Sequence, residues 1–499
     1  MTLTFPTRIT RPKPGPRVAA NSIPSRARST ELTRPWLATL STVAILALGV
    51  GAGLGPLYGV AALIGVAAMI YLARRPVTLC LVAVAAVPVT SGLARGVPIP
   101  GFRISELTIV FGAVVVLLIQ ARRMPGPQWT TLDRVALAYC FGALVFGVVD
   151  VMVHQVTIAS DDLQTMIGPI QFFLVYRTLA TGLITHRARI LALRLCLLAS
   201  LPVSLLAIAQ QAIGQSVTNA LVSVTGTTVF NTPGFEPVFR ATSVFPIWHA
   251  LGGYLLVILL LSAGLVLAGD HEVLPPWAHC VVISLGAVAM VLTLTITVAV
   301  GALFGVVLLG WFNGRLRQVV TWMAVTGGIA LFVFYPLIAN RIAEQSITTD
   351  QTPGNGTSLL PQTLQYRVGV WLDQYLPALN GSWLTGYGPA QPPGIDWHHT
   401  ESGFITILLR GGLPYLILTS LLIVVVGMFA RTRMNAAINP AERGLAGAIL
   451  ALAIVFPVIN LFFPYITASG LAQPMWVLWG ILAASGARKY QRTSRESTW

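Results

Sequence analysis

The residues best suited to chemistry lie in one short polar stretch that runs directly into an apolar segment. They are Asp396, His398, His399 and Glu401. These types can bind zinc or manganese, but their crowded spacing matches no standard metal site. A histidine or glutamate tuned by partial burial would instead serve as a general base. The plainer alternative is a solvated loop end in which Thr400 or Ser402 caps the following helix.

Two arginines form a second group of candidates. Arg240 stands just before an apolar segment, and Arg367 stands within the polar region 340–400. A planar guanidinium group binds phosphate through two parallel hydrogen bonds, so two such groups could hold a pyrophosphate. The alternative is that each arginine pairs with a nearby acid or with lipid headgroups. Sequence alone favours that alternative.

Other polar residues carry weaker signals. His249, at the start of an apolar segment, is interpreted as a packed side chain, and Asp161 with Asp162 as a solvated pair without a metal-binding partner cluster. Four further histidines lie at helix ends or in loops with no visible companion; they are His154, His186, His271 and His279. None of these residues is predicted to be catalytic.

The elements that must position these residues are membrane helices. The chain has 499 residues, of which 55% are hydrophobic and 9% charged, whereas about 25% of residues are charged in a soluble domain. Runs of roughly 20 apolar residues are needed to span a bilayer. Apolar segments predict an all-α, polytopic bundle of about ten to fourteen helices. They lie near 36–53, 57–73, 77–90, 104–121, 132–153, 163–180, 190–213, 244–268, 278–294, 297–312, 319–339, 402–430, 444–464 and 470–487.

The distribution of charge predicts how the chain is oriented. The net charge is +15, but the basic residues lie in the tails and in alternate short loops, which indicates cytoplasmic anchoring rather than binding to nucleic acid. Both termini are then cytoplasmic. This alternation also favours two helices, not one, within 278–312.

The predicted organisation has five parts. Residues 1–35 form a disordered basic tail that contacts membrane lipids, 36–339 and 401–487 form transmembrane helices, and 488–499 form a second cytoplasmic tail. Between the two helical regions, 340–400 is a large loop on the outer face. Gln365 to Leu379 within it reads as an amphipathic helix.

Four stretches together resemble the O-antigen ligase and polymerase superfamily of bacterial inner-membrane proteins. They are Arg240 to Tyr254, Leu294 to Leu303, Tyr366 to Pro389, and His399 to Pro414. Their order and the long loop before the last stretch carry the resemblance. Two positions depart from the family pattern. Thr297-Val298 stands where the family usually has Ser-Arg, and Glu401 stands at the usual histidine position, with His398 and His399 just before it.

The resemblance implies transfer of a glycan from a polyprenyl-pyrophosphate carrier to an acceptor hydroxyl in cell-surface polysaccharide biosynthesis. Arg240 and Arg367 would bind the pyrophosphate, and Glu401, His399 or His398 would be the base. No metal or cofactor is expected. Ligase and polymerase activities both remain open, as does an inactive scaffold of the same fold. A transporter or flippase for lipid-linked glycans is the rival class.

Overall fold

The structure is a computed structural model, and it describes residues 71–72, 75–90, 129–155, 160–225, 240–347, 362–389, 400, 402–466 and 471–496. All of them belong to one compact unit, Tyr71–Trp499. Within the described residues every regular element is a helix and there is no strand. The all-α prediction is therefore confirmed. The predicted spans near 36–53, 57–73 and 104–121 lie wholly or largely outside the described residues.

Fourteen helices are numbered here in chain order, with one π-helical segment between α10 and α11. They are α1 (Pro76–Thr90), α2 (Thr131–His154), α3 (Ser160–Gly182), α4 (His186–Ile213), α5 (Gln215–Thr225), α6 (Trp248–Ala268), α7 (Pro276–Leu292), α8 (Ile296–Phe312), α9 (Leu316–Ile347), α10 (Gln362–Val370), the π-helical segment (Trp371–Tyr375), α11 (Leu376–Ala378), α12 (Gly403–Ala436), α13 (Pro440–Asn460) and α14 (Ala472–Glu496).

Five of these helices are long and apolar enough to cross a membrane, namely α2, α4, α6, α12 and α13. Two shorter apolar helices, α7 and α8, and most of α1 add to this set. A helix that satisfies its own backbone hydrogen bonds is one of the few structures that lipid tolerates. The chain is a membrane-embedded helical protein.

Helix α6 lies at the centre of the packing. Its most apolar window is 89% buried, and it packs against α7, α8 and α13. Its sequence is hydrophobic on all sides, as expected of a helix surrounded by other helices. By contrast, α9 exposes large apolar side chains such as Phe332, which is 85% exposed. Such a surface suits contact with lipid.

The helix termini gather at two ends. We call one the loop end; it holds residues 240–247, 362–389 and 461–466, together with the starts of α6, α8 and α12 and the ends of α2 and α13. At the opposite end, Asp133 near the start of α2 accepts hydrogen bonds from Arg177 and Tyr176 at the end of α3, each at 2.9 Å. His186 at the start of α4 meets Glu272 at 2.8 Å.

Helix α12 is broken in its first third, and a loop-end segment fills the break. Gly411 (φ −148°, ψ 18°) and Gly412 (φ 63°, ψ −167°) leave the helical conformation. Tyr387 N–H donates to the Leu409 carbonyl at 2.6 Å, and Leu413 N–H donates to the Trp383 carbonyl at 2.8 Å. The segment 383–387 thus supplies backbone partners that the helix itself lacks at this point.

Several predicted boundaries can be compared with the helices. The 278–312 region forms two helices, α7 and α8, joined by a buried turn at Thr293–Thr295, as the charge alternation predicted. The predicted amphipathic helix from Gln365 to Leu379 corresponds to α10, the π-helical segment and α11. Helices α9 and α14 run on to Ile347 and Glu496, past the predicted ends of their apolar segments. Hydropathy marks only the apolar part of a helix, so it does not show where helical backbone continues into polar sequence.

Candidate functional site

Arg240 lies at the loop end on a segment that is fixed by α4. Its guanidinium group covers the ring of Trp248, with 4.7 Å from Cζ to the ring centroid. The residues after it are held by the buried Gln210, whose side-chain oxygen accepts the N–H groups of Thr242 at 3.0 Å and Ser243 at 2.6 Å. Ser243 adopts a positive φ of 52° at this turn. Arg240 therefore extends from an anchored backbone.

A row of four aromatic rings runs from Arg240 across the start of α6 to the segment after α13. We call it the aromatic row; it consists of Trp248, His249, Phe463 and Tyr465. Trp248 and His249 are 5.5 Å apart, His249 stacks on Phe463 at 4.4 Å, and Phe463 meets Tyr465 edge-on at 4.9 Å. His249 is thus a packed side chain, as the sequence indicated, but it packs at the centre of the candidate site.

The charge of Arg367 influences Tyr465, the last residue of the aromatic row. Tyr465 is fully buried, and this burial raises the pKa of its phenol well above the usual value, while the side chain of Thr297 and the positive charge of Arg367 oppose the rise. Thr297 is close, yet within the described residues the Tyr465 hydroxyl makes no hydrogen bond of acceptable geometry. Of the two arginines that the sequence singled out, Arg240 contacts one end of the aromatic row, and the charge of Arg367 influences the tyrosine at the other.

The segment before α12 is held against α10 and the π-helical segment. The indole N–H of Trp371 donates to the Thr400 carbonyl at 2.9 Å, and the hydroxyls of Thr400 and Thr406 bond to each other. Ser402 precedes α12 without a side-chain capping bond. Thr400 lies between the predicted base residues His398, His399 and Glu401, which themselves lie outside the described residues, as does Asp396.

Asn460 is a residue of this site that the sequence analysis missed. Its buried amide packs on Gly403, where a Cβ atom would lie 2.2 Å from its side-chain oxygen. That oxygen receives the Ile466 N–H at 3.4 Å. The available signal was an amide at the end of an otherwise apolar helix, which is costly in a membrane unless it has a role.

Several buried polar atoms near the aromatic row have no hydrogen-bond partner in the described part of the chain. They are Trp248 Nε1 and Tyr465 OH in the row itself, and Asn460 Nδ2, whose side-chain oxygen bonds the residue after Tyr465. Buried polar groups are almost always hydrogen-bonded, and leaving one unsatisfied costs about 1–3 kcal/mol. Such a group of atoms is suited to receive a polar ligand or water.

The structure corrects the view that the loop and helix-end histidines lack companions. His154 contacts Asp150 at 2.6 Å, His186 contacts Glu272 at 2.8 Å, and His279 contacts Ser262 at 2.9 Å. Most of these partners are distant in sequence and only folding brings them together. Asp161 and Asp162 fall in the first turn of α3. No group of three or more metal-binding side chains occurs in the part of the chain that the structure describes.

Comparison with known proteins does not identify the chain. No protein-family model matches it, and no curated protein is significantly similar to it. The resemblance to the O-antigen ligase and polymerase superfamily therefore stays a prediction from its motifs. The function is therefore inferred from the geometry of the loop end.

Proposed function

We propose that the protein transfers a glycan from a polyprenyl-pyrophosphate carrier to an acceptor hydroxyl at the outer face of the bacterial inner membrane. The observation that carries this proposal is the contact of Arg240 with Trp248, at the head of an aromatic row at one end of a membrane-embedded helical protein. The charge of Arg367, which opposes the rise in the pKa of Tyr465 at the other end of the row, supports it. The comparisons with known proteins supply no support for this proposal. The motif resemblance described above also predicts glycan transfer.

The chemistry of the loop end suits a lipid-linked sugar pyrophosphate. Guanidinium groups bind phosphate oxygens and stabilise negative charge as it develops on a leaving group. The unsatisfied Tyr465 hydroxyl and Asn460 amide are further donors, and aromatic faces can pack against sugar rings. Two arginines can supply the positive charge that a divalent metal ion supplies in other transferases.

The proposed reaction is a single displacement at the anomeric carbon. Glu401, His399 or His398 removes the proton of the acceptor hydroxyl, whose oxygen forms a bond to the anomeric carbon. The bond from that carbon to the pyrophosphate oxygen breaks, and the polyprenyl pyrophosphate leaves with its charge stabilised by Arg240 and Arg367. The bond between the sugar and the pyrophosphate already holds the free energy, so no nucleotide is required.

The orientation of the chain is part of the proposal. Basic residues cluster at the end opposite the loop end, near the starts of α4 and α9 and near the ends of α3 and α12; they include Arg177, Arg187, Arg315 and Arg433. This pattern supports a cytoplasmic opposite end and cytoplasmic termini, because cytoplasmic segments of membrane proteins are rich in arginine and lysine.

A specific observation favours the transporter or flippase alternative. Helix α12 is broken at Gly411–Gly412, and Arg410 lies directly before the break. Broken helices with charged residues are typical of transporter binding sites. The two functions differ in whether the glycan changes its covalent attachment or only its leaflet, and an inactive scaffold would do neither.

Reconstituted proteoliposomes supplied with native polyprenyl-pyrophosphate glycans test the proposal directly. We expect wild-type protein to release sugar from the carrier, Arg367→Ala to lower the rate at least about 100-fold, and Arg367→Lys to retain part of the rate because it keeps the charge without the two parallel hydrogen bonds. Arg315→Ala, the same substitution at the opposite end, is the matched control and should leave the rate unchanged. Transfer that persists in Arg367→Ala contradicts the proposal.

A further inference from the structure

An aspartate, a histidine and a serine from distant parts of the chain meet where α2 ends. His154 Nδ1 lies 2.6 Å from Asp150 Oδ1, and His154 Nε2 lies 3.4 Å from Ser382 Oγ. The Asp150 side chain is 1% exposed and that of His154 is 24% exposed. No part of the proposed glycan transfer uses these residues.

The fold holds each member of this cluster in place. Asp150 and His154 are one turn apart on α2. Ser382 lies in the turn after α11, where its N–H donates to the Leu379 carbonyl at 2.8 Å and its own carbonyl accepts the Gly386 N–H at 2.7 Å. This turn continues into the segment 383–387 that fills the break in α12, so the position of Ser382 is tied to two helices.

Two residues of the same turn cover the aspartate and the histidine. Tyr387 stacks on the His154 ring with 5.1 Å between centroids. Gly388 lies over Asp150, where a Cβ atom would come within 2.5 Å of Oδ2. The carboxylate is thereby kept from water and the imidazole from rotating. These are the two conditions that a histidine needs to act as an oriented base.

We propose that Asp150, His154 and Ser382 form a nucleophilic serine site that cleaves an acyl ester of a membrane amphiphile. The contacts, carboxylate to Nδ1 and Nε2 to hydroxyl, match the roles of orienting acid, base and nucleophile. The Nε2–Oγ distance is longer than a tight hydrogen bond. Such separations are common in unliganded sites and shorten when substrate binds.

The surroundings of Ser382 define the substrate class. Next to it, Trp383 is 37% exposed and Leu384 is 70% exposed. An apolar rim beside a polar triad at the end of membrane helices suits an ester with an acyl chain. Within the described residues the Trp383 N–H donates no hydrogen bond. It is free to stabilise an oxyanion beside the nucleophile.

The reaction balances with water as the only co-reactant. Ser382 Oγ attacks the ester carbonyl carbon while its proton moves to His154 Nε2. The bond from that carbon to the alcohol oxygen breaks, and the alcohol leaves with the proton from His154. Water then attacks the acyl-serine, again giving its proton to His154, so that the carboxylic acid departs and Ser382 recovers its hydroxyl. Asp150 stabilises the imidazolium form throughout.

A fluorophosphonate probe tests the site without any glycan, so its outcome is independent of the proposed transfer. The probe forms a bond from Ser382 Oγ to phosphorus and releases fluoride. Full-length protein in nanodiscs should be labelled, and mass spectrometry of wild-type peptides should place the adduct on Ser382. We expect labelling to vanish in Ser382→Ala and to slow at least about tenfold in His154→Gln and Asp150→Asn.

Ser223→Ala is the matched control, because Ser223 is an exposed serine whose hydroxyl bonds only the Ala220 carbonyl; its labelling should equal that of wild type. The rates of p-nitrophenyl octanoate hydrolysis should rank the variants as labelling does: equal for wild type and Ser223→Ala, slower for His154→Gln and Asp150→Asn, and absent for Ser382→Ala. Detection of the adduct on wild-type protein does not depend on whether any variant folds. Its absence from Ser382 would overturn the proposal, and so would equal labelling rates for wild type and His154→Gln.

Discussion

Tyr465 combines complete burial with a hydroxyl that makes no hydrogen bond of acceptable geometry in the part of the chain that the structure describes. Because burial raises the pKa of its phenol, the side chain stays protonated at neutral pH and acts as a hydrogen-bond donor. A buried donor without a partner lowers stability, so its persistence indicates a use. In the proposed reaction that use is to donate to the leaving pyrophosphate.

Tyr465→Phe should separate stability from activity. Removing an unsatisfied hydroxyl leaves no partner behind, so the free energy of unfolding should stay within about 0.5 kcal/mol or rise. The rate of transfer should fall roughly tenfold or more, which is the value of one hydrogen bond to a charged group. Denaturant midpoints in mixed micelles and the proteoliposome assay measure the two effects.

Tyr387→Phe is the contrasting variant, because the Tyr387 hydroxyl donates to the Ala378 carbonyl. Its loss should lower stability by about 1 kcal/mol. If Tyr465→Phe lowered stability as much as Tyr387→Phe and left transfer unchanged, the assignment of Tyr465 to the site would be wrong.

How far the site was predictable differs from residue to residue. Arg240 and Arg367 stood out because a charge is conspicuous in an apolar sequence. Asn460 and the pair of Asp150 with His154 were missed. Asp150 and His154 are four positions apart on one helix, a spacing that the sequence does contain. The neighbours of Asn460, by contrast, are fixed by tertiary packing. Ser382 meets His154 across 228 positions of sequence, and no local pattern encodes that contact.

The break in α12 places a specific demand on Gly412. Its φ of 63° with ψ of −167° is a conformation that essentially only glycine adopts. A Cβ atom there would also lie 2.5 Å from the Trp383 carbonyl oxygen. The contact between α12 and the segment 383–387 therefore requires glycine at position 412.

Gly412→Ala should therefore destabilise the protein by about 3 kcal/mol, combining backbone strain with steric overlap. It should also expose the segment 383–387 to limited proteolysis. Gly427→Ala in the same helix is the control, since a Cβ atom there would meet Ala453 Cβ at a comfortable 3.5 Å. Equal midpoints for the two variants would show that the break does not need glycine.

The helices themselves were largely predictable because a bilayer requires long apolar runs. The existence of most of α1 to α14 follows from hydropathy. The ends were harder to place, since α9 and α14 continue into polar sequence. Helix α5 (Gln215–Thr225) lies between the predicted spans 190–213 and 244–268, where no helix was predicted. The break inside α12 was not predicted, although Gly411-Gly412 and Pro414 are all residues that weaken helices.

The two ends of the membrane-embedded protein give a prediction about orientation. Leu384 at the loop end is 70% exposed, and Ile438, between α12 and α13 at the opposite end, is 91% exposed. If the loop end faces outward, a membrane-impermeant maleimide should label Leu384→Cys in intact spheroplasts and Ile438→Cys only after the membrane is opened. Both should be placed in a background with Cys280, the exposed native cysteine, replaced. The reverse labelling pattern would contradict the proposed orientation.

The filled break in α12 has a consequence for the order in which the chain is made. An open backbone carbonyl in the hydrocarbon core costs several kcal/mol. The segment 383–387, which supplies the backbone partners at the break, precedes α12 in sequence. A ribosome therefore delivers the partners first. The insertion machinery can release α12 into lipid with its interruption already satisfied, without waiting for α13 or α14.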